Sequence, residues 1–326
     1  MRALVTGGQG FVGSHLCERL VAQGHRVRVL ARPSSELRHL SGIEVEVVRA
    51  DMTEPAGLPS AVAGCDVVFH VAGALRGLRE QDLFRVNADG TRNLVGAAVA
   101  AEPRLARFVY VSSLAAAGPS LGGSTPRTED MPPEPLTWYG RSKLAGERAV
   151  RSVAGLCWTI LRPAIVFGPR ERDLLRYFRL ARRGCLPVVG FSDRYYSLIY
   201  AEDLAEGLVR AAEAPAAVGQ IYFLAGPDVV SWARLGQLIA TAMGVAARPL
   251  RLPETVATAA GVVTDLLARA RGSPDILSSQ KVIEMLAPAW VCSAEKAERE
   301  FGWRATTPLP AALARTARWY REHGWL

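Results

Sequence analysis

The chain opens with a short apolar run, Arg2 to Thr6, breaks at Gly7-Gly8-Gln9-Gly10, and resumes as an amphipathic stretch from Phe11 to about Gln23. That order predicts strand, turn and helix. The alternation then repeats, with strands expected at Arg26 to Ala31, Glu44 to Val48, Asp66 to Val71, Arg107 to Ser112 and Cys157 to Arg162. Helices fall between them, one opening around Val86 and running to about Ala101, another carrying Tyr139 and Lys143. Strand and helix patterns alternating at this spacing predict an α/β fold with a doubly wound parallel sheet.

After Pro163 the segments shorten and mix. An arginine-rich helix is expected from Asp173 to Arg183, a strand near Ser197 to Tyr200, a helix from Glu202 to Ala212 and a strand from Gln220 to Leu224. Ser231 reads as an N-cap for a helix to Met243. Helices near Glu254–Arg269, Ser279–Leu286, Ser293–Phe301 and Leu309–His323 close the chain. The division expected is 1–165 for the sheet domain and 166–326 for a smaller α/β lobe, with some chain crossing back to the sheet.

Composition narrows the picture. The net charge is 39 − 31 = +8, but the basic residues are nearly all arginines spread along 326 residues, which argues against nucleic-acid binding. The five cysteines include no Cys-x-x-Cys, and the five histidines lack ligand spacing, so a reduced, metal-free, cytoplasmic protein is expected. A first strand at Arg2 leads us to expect no signal peptide. The most apolar late stretch, Thr255 to Ala268, is interrupted by Asp265 and too short to span a bilayer. A packed helix is the first reading there, and peripheral membrane contact the second.

Candidate chemistry starts at the glycines. Without side chains at Gly7, Gly10 and Gly13, the backbone can turn tightly, approach a pyrophosphate and pack helix on strand, with Phe11 and Val12 in the turn. Free amides at the helix start then face the anion. The pattern predicts a Rossmann-type dinucleotide site. The second strand ends in Arg32-Pro33-Ser34-Ser35, a guanidinium and two hydroxyls where an NAD enzyme places an acid, which predicts NADP in preference to NAD. Asp51 and Met52 stand where an adenine edge would lie, and Val71, Ala72 and Gly73 let a cofactor rest against backbone. Asn87 opens the following helix, and His70 reads as packing rather than catalysis.

Tyr139 and Lys143 lie four residues apart, on one helix face, so the ammonium is expected to favour the ionised phenol. With eight tyrosines and three lysines, about 0.07 such pairs would arise by chance. Ser112 and Ser113 are delivered to the carboxyl end of a strand, the edge where open parallel sheets bind ligands. Of the two, Ser113 is the stronger candidate.

Together these residues resemble the extended short-chain dehydrogenase/reductase family, often called the NAD-dependent epimerase/dehydratase family. The motifs that carry the likeness run in order: Thr6-Gly7 to Gly13, Asp51, His70 to Gly73, Asn87, Tyr110 to Ser113, Tyr139 to Lys143, Leu161-Arg162-Pro163, Gly168-Pro169, Tyr200 to Leu204, and Phe301-Gly302-Trp303. The resemblance implies that Tyr139 is the acid/base, that Lys143 lowers its pKa and holds the nicotinamide ribose, and that Ser113 hydrogen-bonds the reacting oxygen. It adds Pro163, Ile165 and Val166 to the cofactor-binding positions, beside Tyr139 and Lys143 themselves. A homodimer through helices at Asp82–Ala101 and Thr137–Val153 is implied as well.

Departures choose among reactions. Ile165 stands where nucleotide-sugar members usually carry asparagine, and Tyr196 where they carry a phosphate-binding arginine, with Arg170 and Arg194 nearby to compensate. Leu114-Ala115 follow Ser113 where dehydratases place an acidic pair. The leading expectation is an oxidoreductase interconverting a secondary alcohol and a ketone on a hydrophobic or ring-shaped small molecule, as in dihydroflavonol-reductase and 3β-hydroxysteroid-dehydrogenase-like branches. A nucleotide-sugar epimerase with tightly bound cofactor is the alternative, and a non-catalytic NADP sensor the third.

Overall fold

The computed structural model describes residues 1–101, 104–122 and 125–326. Strands β1 (Arg2–Thr6), β2 (Arg26–Ala31), β3 (Glu46–Arg49), β4 (Val67–His70), β5 (Arg107–Val111) and β6 (Trp158–Pro163) run through the first half. The second half contributes β7 (Ile165–Phe167), β8 (Cys185–Val189), β9 (Tyr195–Tyr200), β10 (Gln220–Leu224), β11 (Val229–Ser231), β12 (Arg248–Leu252) and β13 (Ala289–Trp290). Between the early strands lie α1 (Phe11–Ala22), α2 (Leu58–Val62), α3 (Glu80–Phe84), α4 (Gly90–Val99), α5 (Leu114–Ala117) and α6 (Trp138–Arg151). The later helices are α7 (Asp173–Arg182), α8 (Ala201–Glu213), α9 (Trp232–Met243), α10 (Glu254–Arg271), α11 (Ser279–Leu286), α12 (Glu295–Phe301) and α13 (Leu309–Glu322).

Seven strands form one parallel sheet in the order β10-β6-β5-β4-β1-β2-β3. The strand order reverses between β1 and β4, so the crevice for a ligand lies at their carboxyl ends, beside Gly7 and Ala72. Alternation along β1 explains the layers. Ala3 and Val5 join a core with Leu16, Phe69 and Phe178, whereas Leu4 points to the other face with Leu58, Leu94, Phe108 and Ile160. A sheet covered on both faces needs strands that are apolar in their middles, as Ala3–Val5 of β1, Val67–Phe69 of β4 and Phe108–Val111 of β5 are.

Residues 166–326 share the large sheet, because β10 pairs with β6 at its edge. Around that return, β11-β9-β13 with β7, and the pair β12-β8, form two small sheets. Of the strands outside the large sheet, sequence patterning had indicated only β9. Boundaries shift elsewhere by one or two residues: β3 starts at Glu46 instead of Glu44 because its pairing with β2 begins at Arg28. The helix expected from Val86 is interrupted by a π-helical turn at Arg85–Asp89 between α3 and α4.

Candidate active site

The glycine turn is built as its sequence requires. Gly7 has φ +70°, and a Cβ there would lie 2.8 Å from the Ala72 Cα, so the turn can press against the β4 loop only as glycine. A Cβ on Gly13 would run into the Gly7 carbonyl. Gly10 caps α1 with no side chain over the first-turn amides of Phe11, Val12 and Gly13, and Gln9 Oε1 is buried without a hydrogen-bond partner among the described residues. An open helix amino end, whose amides donate, in a bare backbone cradle fits a dinucleotide pyrophosphate.

At the end of β2, Arg32 and Ser34 are exposed and Ser35 is half-buried, its hydroxyl 3.2 Å from Gln9 Nε2. Sequence reasoning missed Arg49, the last residue of the neighbouring strand, which donates to the carbonyls of Arg32 and Ser35, each at 2.9 Å. Parallel pairing of β2 and β3 places Ala31 opposite Arg49, a neighbourhood that only the sheet order reveals. Asp51 Oδ1 accepts from the Thr53 amide and hydroxyl, both at 2.9 Å, and Met52 is buried.

The loop after β4 is held from beneath. Ala72 N donates to Thr6 Oγ1 at 3.1 Å, Thr6 Oγ1 lies 2.8 Å from His70 Nδ1, and His70 Nε2 lies 2.9 Å from Thr91 Oγ1. Burial, helped by the nearby Lys143, pushes the His70 pKa down to about 3, so the imidazole is a neutral structural link. Asn87, delivered by the π-helical turn, accepts from Ala74 N at 2.7 Å and donates to Ala74 O at 2.8 Å and Ser142 Oγ at 2.9 Å. Expected as a cofactor contact, Asn87 has both side-chain protons committed within the protein, which makes it a positioning residue joining the Gly73 loop to α6.

Helix α6 presents the chemistry. Thr137 caps it by accepting from Gly140 N at 3.1 Å, and Tyr139 and Lys143 lie one turn apart. Lys143 Nζ, buried, donates to Val111 O at 2.7 Å and sits 4.3 Å from the Tyr110 ring centroid. The Gly73 backbone lies beside that nitrogen, a Cβ there coming 3.6 Å from it and 3.1 Å from Asn87 Oδ1. Burial lowers the Lys143 pKa to about 7, against the opposing pull of Glu147. Tyr139 is pushed up to about 12 by burial, while the Ser113 hydroxyl beside it pulls the other way. The expectation that Lys143 lowers the phenol's pKa is therefore corrected: the ammonium is held on Val111 and Tyr110, and the phenol is protonated at neutral pH.

Ser113 caps α5, its Oγ accepting from Ala115 N at 3.1 Å, which leaves its own proton to donate. Ser112 points the other way, donating to Glu147 Oε1 at 2.5 Å, and Glu147 also takes Arg162 Nε at 2.9 Å and Nη2 at 2.7 Å. Pro163 is buried, and Ile165 and Val166 are half-buried on β7.

A cleft opens over Tyr139 between Leu75, Leu78, Leu83 and Trp138 on one side and Asp265 and Ala268 of α10 on the other. The arginines expected to compensate for a missing phosphate ligand are engaged elsewhere. Arg170 holds Glu18 and Ser14 of α1, and Arg194 holds Glu254 and two backbone carbonyls. Tyr196 is packed against Trp232, with ring centroids 5.5 Å apart.

The model of the NAD dependent epimerase/dehydratase family matches residues 3–225. The chain belongs to this family. Among its curated relatives, the ceramide reductase of Caulobacter vibrioides is 34% identical over 328 residues, spanning 99% of this chain and 95% of that protein. A 2-alkyl-3-oxoalkanoate reductase of Stenotrophomonas maltophilia is 30% identical over 333 residues, spanning 97% and 98%. The crystal structure of gox2253 superposes with a TM-score of 0.83 at 27% identity, over 99% of this chain and 98% of that one. Within the family this chain is an oxidoreductase of the extended short-chain dehydrogenase/reductase type, and the epimerase and sensor alternatives are not favoured.

Proposed function

We propose that the enzyme is NADP-preferring and interconverts a ketone and a secondary alcohol on an apolar substrate. One observation carries this reading: Tyr139, with the Ser113 hydroxyl beside it, faces a cleft walled by Leu75, Leu78, Leu83, Trp138 and Ala268, in which Arg76 is paired with Asp173 and Arg269 is the one lining guanidinium without a carboxylate partner among the described residues. The names of the relatives, for ceramide and for 2-alkyl-3-oxoalkanoate, support an aliphatic ketone.

Bound in the glycine cradle, the dinucleotide supplies or accepts hydride at the carbon. The residues that would hold it are the Gly7–Gly13 turn at the pyrophosphate, Asp51 and Met52 at the adenine, Ala72 and Gly73 along the backbone, and Lys143 at a ribose. Arg32, Ser34 and Ser35, with Arg49 bracing their loop, would take the additional phosphate of NADP. In the reducing direction the protonated Tyr139 donates to the carbonyl oxygen as negative charge develops there. Ser113 directs its uncommitted proton at the same oxygen, stabilising that charge. Leu78, Leu83 and Trp138 exclude water from the exchange.

The test follows consumption of NADPH across a panel of long-chain 3-oxo compounds, with the alcohol product identified by mass spectrometry. Stoichiometric consumption supports a reductase; turnover of nucleotide sugars with no added dinucleotide would replace it with an epimerase. For cofactor choice, Arg32→Asp should move the NADPH-to-NADH ratio of kcat/KM about tenfold toward NADH. An unchanged ratio removes the NADP preference.

A further inference from the structure

Helix α10 has two unlike faces. Inward, Ala257, Gly261 and Ala268 are buried, and Gly261 fits so closely that a Cβ would lie 2.9 Å from Val282 of α11. Outward, Val256, Ala259, Val263, Leu266 and Ala270 recur at helical spacing and all are exposed, Val263 by 54% and Leu266 by 60%. Val262 and Leu267 widen the stripe. A helix facing water carries polar residues there, and this one carries mostly aliphatic ones, with Thr255 alone polar among them. The sequence reading of a packed helix is thus corrected: only a narrow inner edge packs. Among the described residues no helix is long and apolar enough to cross a membrane.

Charge around the stripe is one-sided. Glu254 is paired with Arg194, Asp275 with Arg176 and Glu284 with Lys281, while Arg269 and Arg271 in the last turn of α10 have no carboxylate partner among the described residues. Asp265 turns inward and accepts from Ser279 N at 3.2 Å. Apolar stripe and free arginines together suit a surface that offers acyl chains and anions. A second copy of the chain suits them less, because its own acids at this helix are already neutralised. The inner edge of α10 also walls the Tyr139 cleft through Asp265 and Ala268, with the exposed Arg269 at its rim, and Leu75, 60% exposed, stands on the opposite rim.

We propose that α10 docks on an anionic lipid bilayer, seating its apolar stripe among acyl chains and Arg269 and Arg271 among headgroups. The cleft then opens at the membrane that supplies the substrate, a step that rests on the apolar-ketone reading above. A helix of eighteen residues lies along the surface for about 27 Å.

Co-sedimentation tests it with vesicles of phosphatidylglycerol mixed into phosphatidylcholine, against phosphatidylcholine alone. The native protein should pellet with the anionic vesicles and less with the neutral ones. Val263→Glu/Leu266→Glu, two outward residues remote from the catalytic groups, should bind at least about tenfold more weakly. The same variant should keep the native kcat/KM on a short, water-soluble ketone and the native mass by light scattering. The proposal is overturned if the native protein stays in the supernatant, if the variant binds equally well, or if the variant halves the native mass, which would put a second copy on the stripe. Vesicle binding is read without turnover, so a failed reductase assay would overturn the functional reading and leave the docking result standing.

Discussion

Two adjacent serines at the end of β5 make a controlled comparison. Ser112 is buried and closes a network with Glu147 and Arg162 in which every contact is between protein groups. Ser113, turned to the opposite side by the alternation of an extended chain, lies beside Tyr139 and accepts only from Ala115 N. The same contrast recurs on α6, where Glu147 is saturated one turn beyond Lys143, whose ammonium lies close to bare backbone at Gly73. Residue type does not separate structure from chemistry here. What separates them is whether the polar group's hydrogen bonds are all satisfied inside the fold.

Breaking the saturated side should have the largest effect, and on stability. Glu147→Ala strips a buried guanidinium of its partner and should cost about 3–5 kcal/mol, read as a lower urea midpoint at unchanged slope. A variant near native stability would mean that the network is not structural. On the open side, Ser113→Ala should lower kcat about 100-fold with folding intact, since one donor at the developing oxyanion is lost. Ser112→Ala should instead lower stability and spare kcat in the folded fraction; reversed outcomes would dissolve the contrast.

A pH-dependent effect, the smallest over any one pH unit, concerns the His70 link beneath the loop after β4. His70 has its folded pKa near 3 against an ordinary 6.5, so between those values the unfolded chain binds a proton that the folded chain refuses. Stability is fully present above 6.5 and falls as the pH drops through that window, by at most about 1.4 kcal/mol per pH unit from this group. His70→Gln should flatten the native slope by that one-proton share in denaturant titrations. Equal slopes would show that the imidazole is not held neutral.

The fold and much of the site were legible because they depend on local pattern. A strand, a Gly7-x-x-Gly10-x-x-Gly13 turn and an amphipathic helix leave few other topologies, and four-residue spacing puts Tyr139 and Lys143 on one helix face whatever surrounds them. What surrounds them was not legible. The Val111 carbonyl that holds Lys143 comes from another strand, and burial rather than the ammonium governs Tyr139. Asn87 fell in a recognisable motif, but its engagement of Ser142 needed the π-helical turn, which no spacing announces. Arg49 was hidden because strand neighbours are set by sheet order. In α10 the difficulty was different: residues apolar on every side do not say which side is buried.

In the proposed reaction the Tyr139 hydroxyl carries the proton exchanged with the reacting oxygen. Tyr139→Phe, which removes that oxygen and little else, tests it by steady-state turnover of an apolar ketone alongside fluorescence titration with NADPH. We predict that kcat falls about 1,000-fold or more while NADPH binds as in the native enzyme. A phenylalanine variant that turns over within a few-fold of the native rate would contradict the claim.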